Sequence, residues 1–140
     1  MKICIDAREF VKDRKTGIAR YIENLLTPTL TEPDLKIVLF VSEPEFIPEQ
    51  LRSAVKCIKL PAVLSIVIDQ VILPGLIKEE NADVFFSPYY KTTLTGNFKR
   101  IITVHDIMFI RSQESGVSRL RQGYGGRAAV VIRIQYPKSP

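Results

Sequence analysis

The chain has 140 residues, 46% hydrophobic and 25% charged, which suits one ordinary domain, is too short for two full α/β domains, and excludes a disordered or fibrous chain. The formal charge of +5 lies wholly in residues 111–140, where Arg111, Arg119, Arg121, Arg127, Arg133 and Lys138 face Glu114 alone. The pI near 9.3 therefore describes a tail and not a fold, and nucleic acid is not the expected partner.

Lys2-Ile3-Cys4-Ile5-Asp6 opens the chain as a short strand buried on both faces. Charges at Asp6, Arg8 and Glu9 leave no room for the apolar stretch of a signal peptide. A polar loop follows, and Thr16 is placed to cap a helix beginning at Gly17. Its apolar positions, Ile18, Tyr21, Ile22, Leu25 and Leu26, fall on one helical face, and Pro28 ends or kinks it.

Leu35–Val41 is a second buried strand, with Pro44 and Pro48 in the loop after it. Val55–Leu60 alternates and reads as a peripheral strand. Ser65–Glu80 is a helix with an expected break at Pro74-Gly75. The apolar stretch Leu60–Ile77 is interrupted by Asp69, Gln70, Pro74 and Gly75, so it is not a membrane span. Asp83–Ser87 is a strand stopped by Pro88, and Lys91–Lys99 a loop. Arg100–Val104 is the last clear strand, with His105-Asp106 at its carboxyl end. Strands alternating with helices predict an α/β fold: one Rossmann-like domain of about five parallel strands, with helices on both faces.

Composition shifts near position 112. Four of the seven glycines, at 116, 123, 125 and 126, fall beyond it, so residues 1–111 are taken as the domain and 112–140 as a basic Gly/Arg-rich tail. Ala128–Ile134 has strand character but no evident partner. Cys4 and Cys57 lie in apolar runs without a CxxC pair or a His/Cys cluster. This points to buried thiols in a reducing, cytoplasmic setting and to no metal.

In an open α/β sheet, ligands bind beyond the carboxyl ends of the strands. Three stretches converge there: Asp6 to Gly17, Ser87 to Tyr90, and His105-Asp106. The helix N-terminus at Thr16-Gly17 can receive a phosphate, and Gly17 would allow close backbone approach, although the spacing alone favours a simple N-cap with a glycine tolerated at its edge. His105, the only histidine, can donate to a sugar hydroxyl or carry a proton. Asp106 can orient His105 or cap the following turn. Tyr89 and Tyr90 can stack on a sugar ring or pack the loop onto the sheet. Asp6 and Arg8 can pair to close the first loop. Neither GxGxxG nor GxxxxGK[ST] occurs, which argues against a dinucleotide oxidoreductase and a P-loop enzyme.

The order Lys2-Ile3-x-Ile5-Asp6-Ala7-Arg8, Thr16-Gly17-Ile18-Ala19-Arg20-Tyr21, Gln70-x3-Pro74, Asp83-Val84-Phe85-x-Ser87-Pro88-Tyr89 and Thr103-Val104-His105-Asp106-Ile107-x-Phe109 resembles the amino-terminal domain of family-4-type GT-B glycosyltransferases over residues 1–111. The resemblance implies an acceptor-side domain facing a second Rossmann-like domain across a cleft. It implies retaining transfer of a sugar from a nucleotide-diphosphate sugar to a glycan or lipid acceptor, with no cofactor and no bound metal. On that resemblance Thr16 and Gly17 lie near the donor diphosphate, His105 is the catalytic residue near the donor sugar with Asp106 orienting it, and Asp6, Arg8, Tyr89 and Tyr90 contact the acceptor. The pattern stops near Arg111, and the family's carboxyl-terminal nucleotide motifs do not follow, so the chain alone is not expected to turn over. A missing carboxyl-terminal domain is the implied partner, and contact with the inner face of the membrane is left open. A non-catalytic Rossmann-like interaction module is the alternative.

Overall fold

The computed structural model describes residues 1–12 and 14–104, with Arg14 and Lys15 as backbone, and the backbone of residues 130–134. The central sheet contains β1 (Lys2–Asp6), β4 (Lys36–Val41), β5 (Lys56–Lys59), β6 (Val84–Ser87), β7 (Lys99–Val104) and β8 (Val130–Ile134), in the order β5-β4-β1-β6-β7-β8. The first five run parallel, with β1 between β4 and β6. In chain order those five lie 3-2-1-4-5, the Rossmann arrangement, whose switch point falls between β1 and β6. β8 pairs antiparallel with β7, from Val104↔Val130 to Arg100↔Ile134, which supplies the partner that sequence left open for 128–134.

The strands form because their alternate residues are apolar on both faces. Ile5, Ile37, Leu39 and Phe86 face one side, where they pack with Ala19, Ile22 and Leu26 of α1 (Gly17–Leu26) and Leu51 of α2 (Glu49–Ala54). Cys4, Val38, Phe40 and Phe85 face the other, against Ile68, Leu73 and Ile77. Thr16 caps α1 as expected, its Oγ1 accepting from the Ala19 amide at 3.0 Å. The buried face of α1 runs through Ala19, Ile22 and Leu26. Leu25, expected on that face, is exposed and lines a shallow apolar groove of about 270 Å3 with Tyr21, Ile3 and Ile101. A 3-10 turn (Thr27–Thr31) carries Pro28. Sequence missed α2, whose six residues bury only Leu51 and follow a proline.

The helix expected over 65–80 spans α3 (Ser65–Val67), a π-helical turn (Ile68–Ile72) and α4 (Leu73–Glu79). Its irregularity lies one turn before Pro74. A proline ring clashes with the carbonyl four residues back, and one wide turn there relieves the clash without ending the helix. The Leu73 amide accordingly bonds the Ile68 carbonyl, five residues back. Residues 7–16, read as a polar loop, contain a small ribbon, β2 (Phe10–Val11) antiparallel to β3 (Arg14–Lys15).

No helix joins β6 to β7. Buried Arg100 holds that connection, donating to the carbonyls of Thr95 (2.5 Å) and Gly96 (2.8 Å) and lying 4.5 Å over the Phe98 ring. Gly96 has φ 106°, and a Cβ there would meet the Phe98 ring at 2.1 Å, so this position requires glycine.

Candidate functional site

Because β1 and β6 are adjacent and parallel, Asp6 and Ser87 end at the same edge of the sheet. Asp6 is only 2% exposed. A carboxylate this deep must be paired, and the second residue beyond it supplies the partner through a tight return of the chain. Arg8 donates from Nε to Asp6 Oδ1 (2.9 Å) and from Nη2 to Asp6 Oδ2 (2.5 Å), and its amide reaches Asp6 Oδ1 (3.2 Å). The expected Asp6–Arg8 pair is therefore present.

The pair has a third member that sequence reasoning missed. Arg8 Nη2 also donates to Asp69 Oδ1 at 2.5 Å. Asp69 stands on the π-helical turn, and Ser65, one turn earlier, donates to its Oδ2 at 3.5 Å. The available signal was that Asp69 is the sole charge between Leu60 and Ile77. A lone charge in an apolar helix needs a buried counter-ion. Burial works against the Arg8 charge, yet hydrogen bonds and Coulomb attraction from Asp6 and then Asp69 raise its pKa well above the ordinary guanidinium value. The cluster holds two carboxylates against one cation, so Arg8 is neutralised within the fold. Such a cluster suits hydroxyl-bearing ligands, which can donate to carboxylates.

Gln70, next to Asp69, joins the helix to the loop after β6. Its Nε2 donates to the Thr92 carbonyl (3.1 Å) and its Oε1 accepts from the Leu94 amide (3.0 Å). Ser87 Oγ donates to the Lys91 carbonyl (2.6 Å) and closes the turn that carries Tyr89 and Tyr90. These two tyrosines part company. Tyr90 is 70% exposed, whereas the Tyr89 hydroxyl oxygen is buried with no hydrogen-bond partner of standard geometry among the described residues. Burial, then the carboxylates of Asp6 and Glu9, push the Tyr89 phenol well above its ordinary pKa, so it remains a neutral hydroxyl beside the acidic cluster.

Gly17 forms the first turn of α1, exposed, with Thr16 beside it. A Cβ added at Gly17 would meet nothing within 4 Å, and its φ is not positive. Neither packing nor backbone conformation requires glycine there. The structure thus brings Asp6, Arg8 and Asp69 into one bonded cluster, with Tyr89 in electrostatic contact with it. Tyr90 stays in solvent. Thr16 and Gly17 head the helix that follows the same strand. β7 ends at Val104, and His105 and Asp106 lie outside the described residues. Among the described residues no group of His, Cys, Asp and Glu is arranged to hold a metal, and no helix is long and apolar enough to cross a membrane.

Comparison of the chain with protein-family models, curated proteins and solved structures gave no match in any of the three. The assignment of fold therefore rests on strand order and packing alone: a Rossmann-like α/β domain.

Proposed function

We propose that residues 1–111 are the acceptor-side domain of a retaining glycosyltransferase, which moves a sugar from a nucleotide-diphosphate sugar to a glycan or lipid acceptor. The observation that carries this reading is Gly17. A glycine required by neither its φ nor its neighbours, at the N-terminus of the helix after β1, leaves that helix end open to a ligand's phosphate. The departing nucleotide diphosphate gains charge in the transition state, and aligned backbone amides with the helix dipole stabilise it. The acidic Asp6–Arg8–Asp69 cluster, with the neutral Tyr89 hydroxyl beside it, supports an acceptor rich in hydroxyls. His105, next in sequence after β7, is the proposed contact to the donor sugar.

One helix end cannot orient a diphosphate and exclude water. The opposite wall of the cleft must come from a second Rossmann-like domain. The test is a fusion of this chain to the carboxyl-terminal domain of a family-4-type transferase, assayed beside the unfused chain with a panel of nucleotide-diphosphate sugars and glycan or lipid acceptors. The reading predicts turnover by the fusion only, reduced about 100-fold or more by His105→Ala without a matching loss of stability. Turnover by the unfused chain, or fusion activity indifferent to His105, would overturn it.

A further inference from the structure

The turn after β6 gathers three unfavourable features between Tyr89 and Thr92. The Tyr89 hydroxyl oxygen and Thr92 Oγ1 are both shut off from solvent with no hydrogen-bond partner of standard geometry among the described residues. Between them the Tyr90 ring stands largely in solvent. Folded proteins leave few buried polar groups unpaired, because each one forfeits the hydrogen bonds it made to water. Two in one short turn mean that the turn is held in a conformation it would leave if released.

The hold is visible. Ser87 Oγ closes the near end on the Lys91 carbonyl, four residues away, and such a local bond can move with the turn. Gln70 grips the far end from another element. Both ends of its amide are engaged, Nε2 on the Thr92 carbonyl and Oε1 on the Leu94 amide, 22 and 24 residues away. Gln70 sits on the wide turn Ile68–Ile72, whose neighbour Leu73 is buried against the sheet, so its backbone is not free to follow. Asp69, the residue before it, holds Arg8. Consecutive residues of one wide turn therefore tie both the loop after β1 and the turn after β6 to the same helix.

We propose that Gln70 is a positioning residue of the carboxyl-edge site, holding residues 88–94 in a tense conformation that presents the Tyr90 ring. An aromatic face fixed before binding spares the complex the ordering of that side chain. Carried on a turn tied to a carboxylate cluster, it fits a sugar, whose apolar face can stack while its hydroxyls donate. Presentation of Tyr90 to an acceptor sugar rests on the transfer reading; the tension in the turn does not.

The experiment is a set of urea denaturation cycles on the full chain. In the parent, Tyr89→Phe and Thr92→Val each delete an unpaired hydroxyl and should raise the midpoint by about 0.5–1 M. In Gln70→Ala the released turn can pair both hydroxyls, so the same substitutions should raise it by no more than about 0.2 M. Gln70→Ala alone gives up two hydrogen bonds but relieves the tension, and should move the midpoint by less than about 0.5 M. Equal gains in the two backgrounds, or no gain in the parent, would overturn the proposal. So would a midpoint loss above about 1 M in Gln70→Ala, the mark of an ordinary fastening. In the fused transferase, Gln70→Ala should raise the acceptor KM about tenfold and leave the donor KM unchanged. An unchanged acceptor KM, or an equal rise in both, would remove the positioning role. A fusion without turnover would count against the transfer reading alone, and the denaturation cycles would then decide.

Discussion

At the amino edge of the sheet Glu80 sits between two lysines; at the carboxyl edge Arg8 sits between two aspartates. Lys2 and Lys56 reach the Glu80 carboxylate at 3.2 and 2.5 Å, and Lys2 Nζ also donates to the Glu80 carbonyl. Asp6 and Asp69 both meet Arg8 Nη2 at 2.5 Å. The two clusters have the same number of charges and opposite net sign. Their central groups are alike in exposure, Glu80 at 13% and Arg8 at 14%, and they differ in their flanks: Lys2 and Lys56 are 29% and 60% exposed, Asp6 and Asp69 3% and 9%. A cluster whose lysines reach solvent can rearrange at little cost. A buried cluster with surplus negative charge is costly to desolvate, and hydrophobic residues of similar volume often serve stability as well. The amino edge is thus sufficiently explained by fastening β1, β5 and the end of α4. The carboxyl edge is not, and it is the edge where Rossmann-like sheets bind ligands.

Breaking the two clusters should separate them. Arg8→Met leaves two buried carboxylates without a counter-ion and should cost about 3–5 kcal/mol in urea denaturation at neutral pH. A cost below about 1 kcal/mol would mean that water already reaches the cluster. Gly17→Ala sharpens the contrast by sparing the fold. With a helical φ and empty space for the Cβ, it should leave stability unchanged or raise it by about 0.4–1 kcal/mol, while cutting transfer by the fused enzyme about 100-fold. A destabilised Gly17→Ala would show that the glycine serves the fold.

Two smaller effects follow from titration. Burial, then Glu80, push the Cys4 thiol up from 9.0 to about 12, so the folded chain keeps its proton where the unfolded chain loses it. That contribution to stability is complete below pH 9 and is lost as pH rises toward 12. Denaturation midpoints should fall over that window, less so in Cys4→Ala after allowance for its lower baseline. At the amino edge, hydrogen bonding to Lys56 and then Lys2 outweighs burial and lowers the Glu80 pKa below 4.5. Its stabilisation is present above that pH and is lost as pH falls through the depressed value. Glu80→Gln should cost at most about 1 kcal/mol at neutral pH and shrink with added salt.

Much of this fold was legible because burial on both faces writes itself as continuous apolar runs. Lys2–Asp6 needed no correction, and Leu35–Val41 and Asp83–Ser87 each differ by one residue. The cap at Thr16 was legible through side-chain chemistry. Less legible were features whose cause is remote in sequence. Nothing near Leu51 announces a helix, because one buried leucine suffices once Pro48 has turned the chain. The wide turn at Ile68–Ile72 answers Pro74, yet a proline alone does not say where the strain will be taken up. Asp6 and Arg8 pair across two residues and could be read locally. Asp69 meets Arg8 across 61, and only the packing of the helix on the sheet brings them together.

The central claim, that the carboxyl edge receives a ligand and the amino edge does not, is tested most directly by amide chemical-shift mapping of the full chain titrated with UDP and with GDP. The account predicts shifts concentrated at Thr16, Gly17 and Ile18, extending to residues 6–8 and 87–90, with the amides of Lys2, Lys56 and Glu80 unmoved. Shifts centred on the Glu80 cluster, or none at any nucleotide concentration reached, would contradict it.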